Sequence, residues 1–365
     1  MSTQQKQGPE TADEQQQVEI PAESLWRIRL RLFRRKLRTN WGLFAENKIG
    51  LVGLGIIGLF GLMALAHPIL MNTVWDPDVY DPEAGYGAVV IEKKIVSQVE
   101  NPDEQVALAQ AVTMPSVENP QVGETVKVAE QPAPPNAEHW LGIDQNGRDI
   151  FSQLLKGAQT AFALGVIASL VTVVLATVVG SVAAYFGGVC DQILMRVADL
   201  FLLLPLIPVL ALLGGLFDPN LVVLAVAVGL VSGFGGTAIL LKSQALAVKV
   251  KPFIDAARVA GGSHRHIIFR HIVPNVVPLA FFSMMVSVTL AIGTEATLAY
   301  LGLINLDMSW GLMIQTAQTG GYLLSGFEHW WLLFPAGLAV TLLCAAFYLV
   351  GRALDEVVNP RLRSR

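Results

Sequence analysis

The sequence predicts an all-α integral membrane protein with about six transmembrane helices and an aqueous insert between the first two. Three observations predict this. Of 365 residues, 53% are hydrophobic and only 15% charged, whereas soluble domains carry about 25% charged residues. Apolar runs near the roughly 20 residues needed to cross about 30 Å of hydrocarbon recur along the chain. Lys and Arg gather in alternate connections between those runs. The net charge of −4 points to no nucleic-acid partner and no acidic substrate. Cys190 and Cys344, one beside and one inside an apolar run, are too few for a disulfide framework or a cysteine-based metal site.

Residues 1–24 are rich in Gln, Glu, Ser and Thr, a composition that cannot bury enough surface to offset ordering, so they read as a disordered tail. Over 25–48, Trp26, Leu30, Phe33, Leu37, Trp41 and Phe44 recur at helical spacing beside Arg27, Arg31, Arg34, Arg35 and Arg38. That pattern predicts an amphipathic helix in the headgroup plane, with its cations toward anionic membrane lipid; a solvated basic helix is the alternative. The run Ile49–Leu70 places a first transmembrane helix at 49–71. Ala64-Leu65-Ala66 resembles a signal-peptide cleavage site, but the run exceeds the usual core of about 7–15 residues, so the span reads as uncleaved.

Residues 72–138 are punctuated by prolines and rich in Asp and Glu, which marks an aqueous insert. Val89–Val99 and Thr125–Val128 carry β-branched residues and read either as a small strand-bearing element or as linker. Within a core of residues 139–352, apolar runs near 158–186, 194–216, 221–241, 277–303 and 331–351 complete six spans, leaving 353–365 as a tail. The N-terminal arginines, the 242–276 connection (Lys242, Lys249, Lys251, Arg258, Arg265, Arg270) and the C-terminal tail share one side. The connections near 214–221 and 304–330 contain no Lys or Arg. By the positive-inside rule both termini and the 242–276 loop are cytoplasmic, and the insert lies outside.

No G-x-x-x-x-G-K-[ST], H-E-x-x-H or G-x-S-x-G motif occurs, so no familiar nucleotide-hydrolysing or hydrolytic chemistry is encoded. The most informative stretch is Phe253–Asn275. It reads as a short helix with small residues Ala256 and Ala257, a break at Gly261-Gly262, a second short cationic helix carrying Arg265 and Arg270, and a stop before Pro274. Small residues admit another backbone closely, which suits docking to a partner, although an ordinary basic loop has the same composition.

This stretch resembles the "EAA" loop of ATP-binding-cassette (ABC) importer permeases. Asp255, Ala256, Ala257, Gly261 and Pro274 fall on the pattern, with Asp255 for the usual Glu, Val273 for the usual Leu, and His271 where the pattern has Ile. His139-Trp140-Leu141-Gly142-Ile143-Asp144-Gln145-Asn146-Gly147-Arg148-Asp149 is similar to the LGTD-x-x-GRD signature of the second permease subunit of dipeptide, oligopeptide and nickel importers. Tyr185-Phe186-Gly187-Gly188 with Asp191, Ser309-Trp310-Gly311 and the ending Asp355–Leu362 resemble further landmarks. The likeness covers about 25–72 and 139–363; much of 73–138 has no counterpart, and Ile239 stands where many relatives place Arg.

The resemblance implies the type I permease fold in the cytoplasmic membrane of a prokaryote. It implies a homologous second permease, two cytoplasmic ABC ATPases that bind ATP, an extracytoplasmic solute-binding protein, no cofactor of the chain's own, and peptides as cargo. It also implies that Asp255, Ala256, Ala257, Gly261, Gly262, Arg265, Arg270 and Pro274 form the loop that docks an ATPase. Nickel or another small solute is the alternative cargo. A secondary transporter is the rival class, with Glu295 as its candidate intramembrane charge.

Several residues carry two readings. Glu295, inside an apolar run, either lines the pathway or snorkels to the outer interface. Arg148 and Asp149 either meet a partner at an outer gate or serve the start of the second span, where Asp144 caps free N–H groups and Asp149 favours the helix dipole. Pro205 and Pro208 predict a kink packed against protein, static or gating. Gly229, Gly233, Gly235 and Gly236 suit close helix packing. His264, His266 and His271 lie in the docking loop with no carboxylate pair near to complete a metal site.

Overall fold

The computed structural model describes residues 41–83, 89–94, 125–217, 219–304, 306–324 and 326–358. Residues 41–45 are helical, and the Trp41 and Phe44 rings stack with centroids 5.9 Å apart. The 1–24 tail, the interfacial helix up to residue 40 and residues 359–365 lie outside the described residues.

The bundle opens with α1 (Lys48–Thr73), whose free N–H groups are met by Asn47, accepting from Gly50 N at 2.9 Å. A short α2 (Pro77–Tyr80) follows. The insert then contributes two antiparallel strands, β1 (Val89–Lys94) and β2 (Thr125–Glu130), paired in register from Val89↔Glu130 to Lys94↔Thr125. The β-branched composition thus marks strands rather than linker. Next, α3 (Ile150–Phe186) runs for 37 residues, about 55 Å at 1.5 Å per residue. That exceeds the hydrocarbon thickness, so its ends reach beyond it and organise both faces of the bundle. We name these faces the insert end, where α3 begins, and the basic end, where it finishes.

The predicted third and fourth spans are each broken. The third is α4 (Gly188–Leu203) and α5 (Leu206–Phe217), meeting at 79°; the fourth is α6 (Leu221–Phe234) and α7 (Gly236–Lys249), meeting at 46°. Pro205 causes the first break, because it has no N–H to donate and its ring opposes a continuous helix. Gly235 marks the second. The two breaks are neighbours: Phe201 and Phe234 stack with centroids 5.1 Å apart, and a Cβ on Gly235 would lie 3.8 Å from the Leu202 backbone. The fourth span therefore continues past the expected end at residue 241, and the first residues of the predicted 242–276 connection are helical.

Beyond α7 lie α8 (Pro252–Val259), α9 (His264–Ile267), a π-helical turn (Ile268–Ile272) and α10 (Val273–Tyr300), the last three forming one rod from His264 to Tyr300. The expected stop before Pro274 does not occur. The wider π turn immediately before the proline relieves the clash that would end an α-helix, and the Asn275 side chain donates to the His271 carbonyl at 2.7 Å. The predicted connection at 304–330 holds α11 (Trp310–Thr319) and a 3₁₀ turn (Tyr322–Leu324) before α12 (Trp330–Val358) closes the chain.

Among the described residues four rods are long and apolar enough to cross a membrane alone, and with each bent pair taken as one span there are up to six crossings. Their directions agree. Gly351 of α12 approaches Met285 and Phe282 of α10 in antiparallel sense, and Asn47 donates to Glu356, so both ends of the bundle lie at the basic end. Along α3, a Cβ on Gly229 would lie 2.7 Å from the Ala168 carbonyl oxygen, and one on Gly180 2.7 Å from the Lys242 nitrogen. Glycine thus lets the fourth span pack directly on α3, as small-residue interfaces do within lipid.

Candidate functional site

At the basic end, α8 opens with Pro252, whose missing N–H costs nothing in the first turn. Its other end is a Schellman turn: Gly262 N donates to Ala257 O and Gly261 N to Arg258 O, each at 3.0 Å, with Gly261 at φ +77°. Ser263 then starts α9 by accepting from His266 N at 3.3 Å. Two sharp caps therefore hold the Gly261-Gly262 break in one shape. Ile254, Ile267, Ile268 and Ile272 are buried against Val179, Tyr185, Leu241 and Val248, which anchor the loop on α3 and α7.

What remains outside is the face predicted to dock a partner. Asp255, Ala256, Gly261, Arg265, Arg270 and Pro274 are exposed, while Ala257 and Gly262 are half-buried. Val259 is 90% exposed and Phe269 55%. Asp255 pairs with Arg258 at 2.8 Å on the surface, an i,i+3 contact worth a few tenths of a kcal/mol.

The histidines serve the loop itself. His264 Nδ1 and the Tyr185 hydroxyl lie 2.8 Å apart, the Arg258 guanidinium lies 5.6 Å from the centre of the Tyr185 ring, and the His266 and His271 rings meet edge-on. Lys249 Nζ donates to the Ala184 carbonyl at 2.9 Å. Tyr185 is the residue that sequence reasoning passed over. Its only signal was membership of the Tyr185–Gly188 landmark at the end of a span that proves long enough to reach the loop.

At the insert end, Asp149 caps α3, accepting from Ser152 N at 2.6 Å and from His139 Nδ1 at 2.9 Å. Asp144 accepts from Asn146 N at 2.8 Å, from Arg148 N at 2.9 Å and from Gln153 Nε2 at 3.1 Å. Both carboxylates are buried, and burial pushes both above the ordinary carboxylate range while these hydrogen bonds pull the other way. The Ser152 hydroxyl donates to the Tyr80 carbonyl at 2.6 Å, and the Tyr80 hydroxyl to the Glu138 carbonyl at 2.9 Å, which fastens the foot of the insert. Asp149 is thus spent on the helix start. Arg148 is half-buried, and its Nε meets no hydrogen-bond partner among the described residues.

Glu295 is 3% exposed, with Ser309 beside it, so it reaches no interface to snorkel into. Its cover is the Met308–Gly311 segment. Thr160 donates to the Met308 carbonyl at 2.7 Å, Trp310 Nε1 to the Leu154 carbonyl at 2.9 Å, and Gly157 leaves room for the indole. The structure brings the docking-loop residues together on one face. Arg148 and Asp149 sit together at the foot of α3, whereas Glu295 lies beneath α11.

A bundle of up to six crossings with a capped, exposed loop between the fourth and fifth defines a multi-pass membrane protein. Residues 176–364 match the family of binding-protein-dependent transport system inner membrane components, and the chain belongs to that family. It is 34% identical over 238 residues to a dipeptide transport system permease protein of Bacillus subtilis (strain 168), covering 65% of this chain and 73% of that one. It is also 32% identical over 232 residues to an oligopeptide transport system permease protein of the same organism, covering 63% and 74%. A glutathione transport system permease protein of Pectobacterium atrosepticum is 35% identical over 239 residues, covering 63% and 75%. The resemblance drawn from the two motifs is borne out.

Proposed function

We propose that this chain is a permease subunit of an ABC importer for short peptides, pairing with a homologous permease, two cytoplasmic ATPases and an extracytoplasmic binding protein. Both termini and the 250–273 loop then face the cytoplasm. Three things support that orientation: Lys249, Lys251, Arg258, Arg265 and Arg270 lie at the basic end, the connections at 219–220 and 301–329 carry no Lys or Arg, and both ends of the bundle share the loop's face. Peptides as cargo rest on the names of the relatives.

The observation that carries the reading is the docking face: Val259, Ala256 and Phe269 stand exposed on a loop whose Gly261-Gly262 break is capped on both sides and whose isoleucines are sunk in the bundle. Such a feature transmits force. ATP-driven closure of the partner ATPases would move α8 as a unit, drawing α7 on one side and the His264–Tyr300 rod on the other, and the breaks at Pro205 and Gly235 let the halves of two spans tilt. ATP is bound by the partners, and this chain contributes the pathway and the lever.

The Val259→Asp variant tests this, because its side chain touches almost nothing within the chain. It should fold and insert normally, yet co-purify with at least about tenfold less ATPase, as burial of a charge in a docking cleft requires. Undiminished ATPase recovery would overturn the docking role.

A further inference from the structure

Tyr185, in the last turn of α3, is only 7% exposed although its helix ends there. Its hydroxyl lies 2.8 Å from His264 Nδ1, and the two rings meet edge-on with centres 5.6 Å apart. Phe186 packs on the same imidazole, with ring centres 5.7 Å apart. The Tyr185 ring also meets the Arg258 guanidinium, 5.6 Å from its centre. Arg258 belongs to α8 and His264 to α9, so one side chain of a span touches both helices that flank the Gly261-Gly262 break. It does so from within the bundle, whereas Val259 and Phe269 stand exposed.

The loop is continuous in backbone with α7 on one side and with the His264–Tyr300 rod on the other, so both follow it directly. Along the chain, two broken spans separate α3 from the loop, and α3 follows it only through side chains. The buried isoleucines supply apolar contact, which is non-directional and lets surfaces slide. A hydrogen bond holds to a narrow range of distance and angle. Lys249, on the Ala184 carbonyl, belongs to α7. Among the described residues, the Tyr185–His264 contact is the one side-chain hydrogen bond between α3 and α8 or α9. At its far end α3 bears on the cover of Glu295: Thr160 donates to the Met308 carbonyl, and the Leu154 carbonyl accepts from Trp310. No proline interrupts the helix between these points. A tilt imposed at Tyr185 therefore reaches the Met308–Gly311 segment.

We propose that Tyr185 is a positioning residue that acts through His264: it ties the docking loop to α3, and through α3 to the segment over Glu295 at the insert end. The inference rests on the proposed permease role. In the assembled complex, with Cys190→Ser and Cys344→Ala as background, a bimane label on Asp307→Cys reports on that segment, since Asp307 is exposed beside Met308. Trapping the complex with ATP and vanadate should shift the bimane emission. Tyr185→Phe keeps the ring and its contact with Arg258 but removes the hydroxyl. It should shrink the shift about fivefold, the weight of one net hydrogen bond on a two-state equilibrium, with ATPase recovery and melting temperature unchanged. His264→Asn places an amide atom where the imidazole has Nδ1 and should keep the shift. An undiminished shift in Tyr185→Phe, a shift lost in His264→Asn, or no shift in the parent would overturn the proposal. So would a shift that falls only together with ATPase recovery or melting temperature, which would make Tyr185 a packing residue. A parent complex that recovers no ATPase removes the permease reading itself, whereas the other outcomes remove only the joint.

Discussion

Asp144 and Asp149 show what single side chains do at the insert end. Each is buried for the sake of backbone N–H groups it satisfies, and each is held above the ordinary carboxylate range by that burial. A carboxyl that binds its proton more tightly when folded favours the folded state as pH falls through its folded pKa toward the unfolded value near about 4, and loses that gain as pH rises. Asn keeps the acceptor oxygen without the charge. Wild-type thermal stability in detergent should therefore rise relative to an Asp144→Asn variant on acidification across that window. A difference that stays flat with pH would show the carboxylate to be better solvated than its burial indicates. The signature His139–Asp149 was legible as a motif, but the cap expected of Asp144 falls to Asp149, expected only to favour the helix dipole, while Asp144 holds the N–H groups of Asn146 and Arg148 in the turn before the helix. The His139–Asp149 contact was not legible, since nine intervening residues say nothing of which side chains a turn brings back together.

At the scale of elements, run length was the readable quantity and continuity was not. The spans at α1, α10 and α12 follow from apolar runs alone. Pro205 announced a kink, but Gly235 looked like one more small packing residue until its partner Leu202 was in place. Helix α11 escaped notice because 10 residues are too few to register as a span, and with it went any chance of reading Glu295, whose cover it supplies. Pro274 misled in the opposite way, as a stop that a π turn absorbs. The break at Pro205 carries its own prediction. A Pro205→Ala variant regains the missing donor and favours a straighter third span, so peptide uptake in reconstituted vesicles should fall about tenfold with subunit assembly intact, the behaviour of an impaired hinge. Undisturbed uptake would make the bend a static feature.

For the described residues as a whole, up to six crossings bring both ends of the bundle and the docking loop to the face where the cations gather, and leave the foot of the acid-rich insert, fastened through Tyr80, at the other. That arrangement was legible in the charge of the connections, because membrane insertion sorts Lys and Arg by side. The insert's packing was not, since no periodic pattern spans it. The account depends on Ser263, the exposed cap of α9, facing the compartment that holds the ATPases. In intact cells of a background with Cys190→Ser and Cys344→Ala, a Ser263→Cys variant should resist a membrane-impermeant maleimide and react once the cytoplasmic side is opened. Full reaction in intact cells would place the loop outside and contradict the account.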